Sequence, residues 1–264
     1  MRVAEMVYLR NNNTNEVIKM DIDNPTVLIE KANPGYKVLR FLATPSTNPI
    51  MSTDRYFILV EKETAVVRFP VTSQICEVTN DTIINSKSVE SGFWSGAIIS
   101  DGNIIVTGWE SCDPGSDTDL KAVIIKLDYN LNELGRYTDT REGILSNYLD
   151  IAKLTDGRLV CITIEPSGED HMDPSEYQAT IHLFDKDLKL INELSYEIGE
   201  GWGLSEIDTC RISGNILVKH LIPINVFGKN YQSDAENHGV EVLFTVTITP
   251  ELRIVGYDEA NIPF

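Results

Sequence analysis

Three glycine-bearing turns at near-even spacing constrain this chain more than any other feature: Asp101-Gly102 in SDGNIIVTGWE, Asp156-Gly157 in TDGRLVCITIE and Ser213-Gly214 in ISGNILVKHLI. Asp101 and Asp156 are 55 residues apart, Asp156 and Ser213 are 57 apart. Glycine adopts positive φ without steric cost, so such dipeptides reverse a chain tightly. Each turn follows a short run of strand formers (GAIIS, DIAKLT, DTCRI) and precedes an apolar one. This is the pattern of a β-hairpin closed by a two-residue turn.

A second apolar run follows each hairpin (AVIIKLD, ATIHLFD, VLFTVTI), and another tight turn leads to a fourth strand through DYNLNELGRYT, DKDLKLINELSYE and TPELRIVGYDE. β-branched and aromatic residues favour strands, and no stretch carries a convincing amphipathic helix period. A weaker copy lies upstream, with Thr53-Asp54 as its turn in STDRYFILVE, then AVVRFPV and ICEVTND. The runs VAEMVYL, EVIKMDI and PTVLIEK form a degenerate fifth unit. Four-stranded units repeating every 40 to 55 residues or so are the signature of a β-propeller, in which each blade buries its faces against its neighbours. The expected fold is therefore all-β, a single small propeller domain over 1–264 with blades near 1–38, 39–87, 88–142, 143–199 and 200–264. Six blades is the next choice if the N-terminal runs hide another partial unit. A β-sandwich or barrel is the other architecture that evenly spaced strands allow.

DGNIIVTGW followed by AVIIKLDYNLNELGRY resembles the degenerate propeller repeats of many bacterial proteins, in which a D-G-turn strand precedes an I-K-L-D-x-x-L strand and turn. The resemblance is good from Ser88 to Glu197, weaker to Phe264 and poor before Met51. It implies fold and no activity, since such repeats serve lectins, enzymes and scaffolds alike. There is no sialidase-type S-x-D-x-G-x-x-W box, because SDGNIIVTGW sets its aspartate and glycine side by side with the tryptophan too far downstream.

Charge narrows the partners. With 22 Lys and Arg against 40 Asp and Glu, the net charge is -18. That charge repels phosphate backbones and anionic lipid, so neither nucleic acid nor membrane is expected as a partner. A small molecule, a glycan or a protein is. No segment has the roughly 18 apolar residues of a membrane span and the N-terminus lacks a signal-peptide core, so a cytoplasmic location is expected. Cys76, Cys112, Cys161 and Cys210 are far apart with no C-x-x-C spacing, which reads as reduced structural thiols. Charges on the fourth strands, such as Glu133, Arg136, Glu193 and Glu197, discourage edge pairing and point to a monomer.

Function is expected where the chain is longest between strands. The connections from second to third strand are long in three units (ESCDPGSDTDLK, EPSGEDHMDPSEYQ, IPINVFGKNYQSDAENHGVE). Up-and-down connectivity puts them on the face that also carries the blade-to-blade links, and loops longer than reversal requires are commonly functional. Trp94, Tyr148 and Trp202 near the first strands, with Trp109 at the end of a second strand, are the candidate ligand anchors, because indole and phenol rings suit sugar faces and protein hot spots. The alternative is that they plug the channel or pack between blades.

The same loops are acidic. Asp170, His171 and Asp173 are weak metal candidates and calcium is conceivable, but no metal motif is present and no cofactor is expected. His182 and His220 fall inside strands and read as packing residues. A non-catalytic recognition domain is thus the first expectation. The alternative is a glycan hydrolase drawing its acids from Glu90, Asp150, Glu206 and Asp208, which lie near the starts of successive first strands. A structural role in a larger assembly is the third. Serine-triad and phosphate-cradling motifs are absent.

Overall fold

The computed structural model describes residues 7–10, 17–20, 36–42, 56–63, 71–79, 82–88, 92–111, 120–140, 148–166, 177–199, 204–210, 213–224 and 240–262. Every regular element among them is a β-strand. The chain divides into two compact units, 1–94 and 95–264.

In the first unit, β1 (Val7–Arg10) and β2 (Val17–Met20) form an antiparallel hairpin. β3 (Tyr36–Leu42), β4 (Tyr56–Glu63), β5 (Val71–Thr79) and β6 (Thr82–Ser88) follow as an antiparallel sheet in sequence order, here sheet 1. Tyr56, Phe57, Ile58, Leu59 and Val60 are all buried, so β4 covers both faces of its sheet with apolar side chains. Tyr56, Ile58 and Val60 pack with Cys76 and Val78 on one of those faces. Burial pushes the Cys76 thiol up to about 12, which leaves it a packing group and no nucleophile.

The second unit holds three more sheets of the same kind. Sheet 2 comprises β7 (Gly92–Ser100), whose first residues belong to the first unit, with β8 (Asn103–Ser111), β9 (Leu120–Leu127) and β10 (Glu133–Thr138). Sheet 3 comprises β11 (Tyr148–Lys153), β12 (Leu159–Pro166), β13 (Tyr177–Phe184) and β14 (Leu190–Gly199). Sheet 4 comprises β15 (Leu204–Thr209), β16 (Ile216–Ile224), β17 (Val240–Ile248) and β18 (Ile254–Ile262). The fold is all-β, built of propeller-type blades. The strands meet the expected boundaries in part: β3 runs across the 38/39 division, while Thr53-Asp54 and most of AVVRFPV lie outside the described residues.

The turns explain how neighbouring blades grip one another. Asp101 and Gly102 both have positive φ, 50° and 78°, so the two-residue turn expected there is of type I′. The other two glycine turns are longer than expected. Leu154 N–H donates to Arg158 C=O, closing a three-residue loop that ends on Gly157 at φ 91°, and Cys210 N–H donates to Asn215 C=O around Gly214 at φ 73°. In both the glycine ends the turn in the left-handed region, where a side chain would be strained.

The third-to-fourth turns use a leucine in that place. Leu131, Leu188 and Leu252 have φ of 63°, 64° and 61°, and each is at most 6% exposed. Asp128 and Asp185 brace the first two loops, each with one carboxylate oxygen accepting two backbone N–H groups, while Thr249 braces the third. A left-handed leucine costs about 1–2 kcal/mol, comparable to what burying its side chain returns. The kink turns Leu188 into the core shared with Ile105 and Ile124 of sheet 2, and Leu252 into the core shared with Val160 and Leu154 of sheet 3. In the loops of Leu188 and Leu252 the left-handed leucine is therefore a staple between blades.

Candidate functional site

Within the second unit the first strands β11 and β15 lie side by side, and the second strand β8 of sheet 2 also approaches β11. Side chains cross-link them through the backbone. Ser95 Oγ donates to Tyr148 C=O, Thr209 Oγ1 donates to Lys153 C=O, and Asp150 accepts Ile151 N–H at 2.9 Å on one oxygen and Ile207 N–H at 3.2 Å on the other. The approach of β7 to β11 is close enough that a Cβ at Gly96 would lie 2.5 Å from Thr107 Oγ1 and 3.2 Å from Asp150 Cα. Only glycine fits there.

Two seams result, between sheets 2 and 3 and between sheets 3 and 4. The meander topology sends the connections 112–119, 141–147 and 167–176 from one end of sheets 2 and 3, and the tight turns from the other. At the turn end the first seam is apolar, with Ile105, Ile124, Ile151, Leu159, Phe184 and Leu188. Alternation along β8 and β12 then brings Thr107 and Trp109, Thr163 and Glu165 onto the same facing sides toward the loop end. Thr107, Thr163, Glu165 and Thr180 are all buried. Thr163 Oγ1 donates to Glu165 Oε1 at 3.1 Å, and Thr180 Oγ1 is 2.9 Å from Ser195 Oγ. Thr107 Oγ1 is buried with no hydrogen-bond partner among the described residues.

The structure distributes the sequence candidates unevenly. Trp94 and Tyr148 are 1% and 0% exposed, so neither offers an open ring face to a ligand. The Trp94 amide donates to Ser73 Oγ, and Tyr148 stacks edge-on against His182 and Phe184. Tyr148 packs in the seam between sheets 2 and 3. Trp109 keeps partial exposure.

Asp150 is buried with both oxygens taken by backbone amides. Asp208 is exposed and accepts Thr209 N–H at 2.7 Å. Glu206 stands in β15 opposite Lys219. Glu90, Trp202, Asp170, His171 and Asp173 lie outside the described residues. His182 and His220 are buried inside strands, as expected for packing groups. Burial, aided by the Asp150 charge, holds the Cys161 thiol well above its ordinary value. Sequence reasoning missed Glu165 by placing it in the loop. The alternation of Cys161, Thr163 and Glu165 was the available signal, since it continues β12 by two more turns of the pleat.

No family model matches the chain, and no curated protein does. Several solved structures share part of its fold. The subtype N10 neuraminidase-like protein of A/little yellow-shouldered bat/Guatemala is 11% identical with a TM-score of 0.46, over 85% of this chain and 63% of that one. A GH32 β-fructofuranosidase of Bombyx mori, in complex with sucrose, is 12% identical with a TM-score of 0.45, over 90% and 55%. A GH43_12 protein retrieved from capybara gut metagenome is 11% identical with a TM-score of 0.41, over 89% and 55%. The chain spans less than two thirds of each of these proteins, and at this level of overlap none assigns it a residue or a reaction.

Proposed function

We propose that the chain is a recognition domain that binds a neutral polyhydroxylated ligand, a glycan segment, at the loop end of the seam between sheets 2 and 3, without turning it over. One observation carries this reading: buried hydroxyls and a buried carboxylate gather at the end of that seam where the long connections leave, with Trp109 partly exposed on the same side. Hydroxyl and carboxylate acceptors beside an indole are the chemistry that recognises sugars, and the net charge of -18 favours a neutral ligand over an anion.

Glycan hydrolysis is the second reading. It draws on Asp150 and Glu165 as two buried carboxylates on one blade. Asp150 is poorly placed for it, because both its oxygens are already engaged by backbone N–H donors.

The deciding experiment is calorimetric titration of neutral oligosaccharides into the wild type, Trp109→Ala and Glu165→Gln, with mass spectrometry of the ligand afterwards. Binding weakened by about 10-fold or more in both variants, with ligand intact, supports recognition. Product formation lost in Glu165→Gln establishes the hydrolase. Binding unchanged in both variants overturns the placement of the site.

A further inference from the structure

Six large apolar side chains are exposed among the described residues, and all of them lie on the last strand of a four-stranded sheet: Ile84 on β6, Leu134 on β10, Ile191 on β14, and Ile254, Val255 and Tyr257 on β18. Four of these occupy one recurring position. In sheet 1 Val78 pairs with Ile83 and Glu77 with Asn85, and in sheet 2 Leu127 pairs with Glu133 and Lys126 with Gly135. In sheet 3 Phe184 pairs with Leu190 and Leu183 with Asn192, and in sheet 4 Ile248 pairs with Ile254 and Thr247 with Gly256. Ile84, Leu134, Ile191 and Val255 are thus each one residue inserted into the ladder, a β-bulge close behind the third-to-fourth turn. The middle pairs β4–β5, β8–β9, β12–β13 and β16–β17 run without a shift. An inserted residue has no place in the alternation of faces, which is why an aliphatic strand former is left in water at each of these points.

Core burial does not account for these insertions, and in sheets 1, 2 and 3 one exposed aliphatic side chain per sheet falls far short of the roughly 800 Å² per partner that a stable interface buries. Their common feature is the strand they interrupt, whose outer edge no other strand of its sheet covers. We propose that the four insertions are edge guards, which keep these outer strands from pairing with a strand of a second copy. A regular edge strand points backbone N–H and C=O groups outward at every second residue, a template for strand addition. The insertion shifts that period by one residue and sharpens the local twist, so a straight incoming strand matches the edge on one side of it only. Beyond the insertion the regular ladder spans 85–88 in sheet 1, 135–138 in sheet 2, 192–197 in sheet 3 and 256–262 in sheet 4. Charge follows length. The two short stretches carry one charged residue each, Lys87 and Arg136, and Arg136 is engaged by Glu133 and Glu110. The two longer ones carry a pair of acids each, Glu193 with Glu197 and Asp258 with Glu259, which repel the same acids on a second copy.

The test removes the insertion and nothing else. Deleting Leu134 sets Glu133 directly before Gly135, opposite Leu127 and Lys126, and deleting Ile191 sets Leu190 directly before Asn192, so both ladders run without a step while every later pairing is kept. Sedimentation velocity on the whole chain, from micromolar to millimolar concentration, reads the result. The variant lacking both residues should keep the circular dichroism of the wild type and associate at concentrations about 10-fold lower, or less, than any at which the wild type does. Leu134→Ser combined with Ile191→Ser keeps both insertions without their aliphatic side chains and should match the wild type. A deletion variant that associates no more readily than the wild type overturns the guard. So does a serine variant whose association differs from that of the wild type, since the exposed side chains and not the insertions would then govern contact. If the double deletion does not fold, deletion of Ile84 from sheet 1 is read by the same criterion.

Discussion

The two seams of the second unit are built from the same blade pattern yet differ in chemistry. Between sheets 3 and 4 the contact is largely aliphatic, with a tyrosine–histidine pair and the buried Asp150 carboxylate, which accepts Ile207 N–H, as its polar links. Between sheets 2 and 3 the turn end is apolar, aliphatic and aromatic together, while the loop end buries Thr107, Thr163, Thr180 and Glu165. A β-strand needs only alternation to be a blade strand, so the inward positions are free to be apolar or polar as long as each polar group is satisfied. A seam that carries polar groups it does not need for closure, at the end where long loops leave, is under a demand other than stability. On the reading proposed above, the first seam is the one that meets a ligand.

Asp150 provides the strongest test of that division, because its carboxylate ties β11 to β15 while its backbone lies against Gly96 of β7. Asp150→Ala removes two charge-assisted hydrogen bonds and strands two buried N–H groups, an expected loss of about 3–5 kcal/mol by urea denaturation. Asp150→Asn keeps one acceptor oxygen and should cost about half as much. Ile181→Ala, in the aliphatic seam, should cost about 3 kcal/mol through the cavity it leaves. If Ile181→Ala proves the more damaging, the first strands are held by packing and the polar cross-links are incidental.

Asp150 also shows where the sequence stops being informative. Its place at the start of a first strand was legible from the hairpin spacing. Its role was not, because its partner is the backbone N–H of Ile207, which has no sequence signature. The same holds for Tyr148, whose ring meets His182 and Phe184, distant in the chain. Local signals did better. The strand order, the type I′ turn at Asp101-Gly102 and the repeated D-x-x-L segments all depend on residues within a few positions of one another. The leucine of D-x-x-L carried a further message that composition hides: a left-handed residue with a large apolar side chain must be compensated by burial somewhere outside its own sheet.

Leu188 turns that message into a smaller effect with an unusual sign. Leu188→Ala forfeits the burial against sheet 2 and keeps the left-handed strain. Leu188→Gly forfeits the burial and relieves the strain, so the glycine variant should be the more stable of the two by about 1 kcal/mol, the reverse of the order seen at ordinary positions. Paired chemical melts decide it. Alanine more stable than glycine would mean that the turn relaxes once the side chain is gone, and the staple between blades would then lie in packing alone.

The smallest effect belongs to the turn end of the first seam, where Lys153 Nζ of sheet 3 reaches Asp101 Oδ1 of sheet 2 at 2.7 Å. The lysine hydrogen bond and charge hold the Asp101 carboxyl below its ordinary value. A carboxyl with a lowered folded value contributes stability above its unfolded value near pH 4 and loses it as pH falls further, but both partners are solvent-screened here. Asparagine tolerates positive φ as aspartate does, so Asp101→Asn at φ 50° removes the charge without disturbing the turn. The expected cost at pH 7 is about 0.5 kcal/mol or less, shrinking further in 0.5 M or so salt. A loss several times larger and insensitive to salt would mean that this ion pair, and not the aliphatic core above it, closes the first seam, leaving the polar loop end free to open on its own.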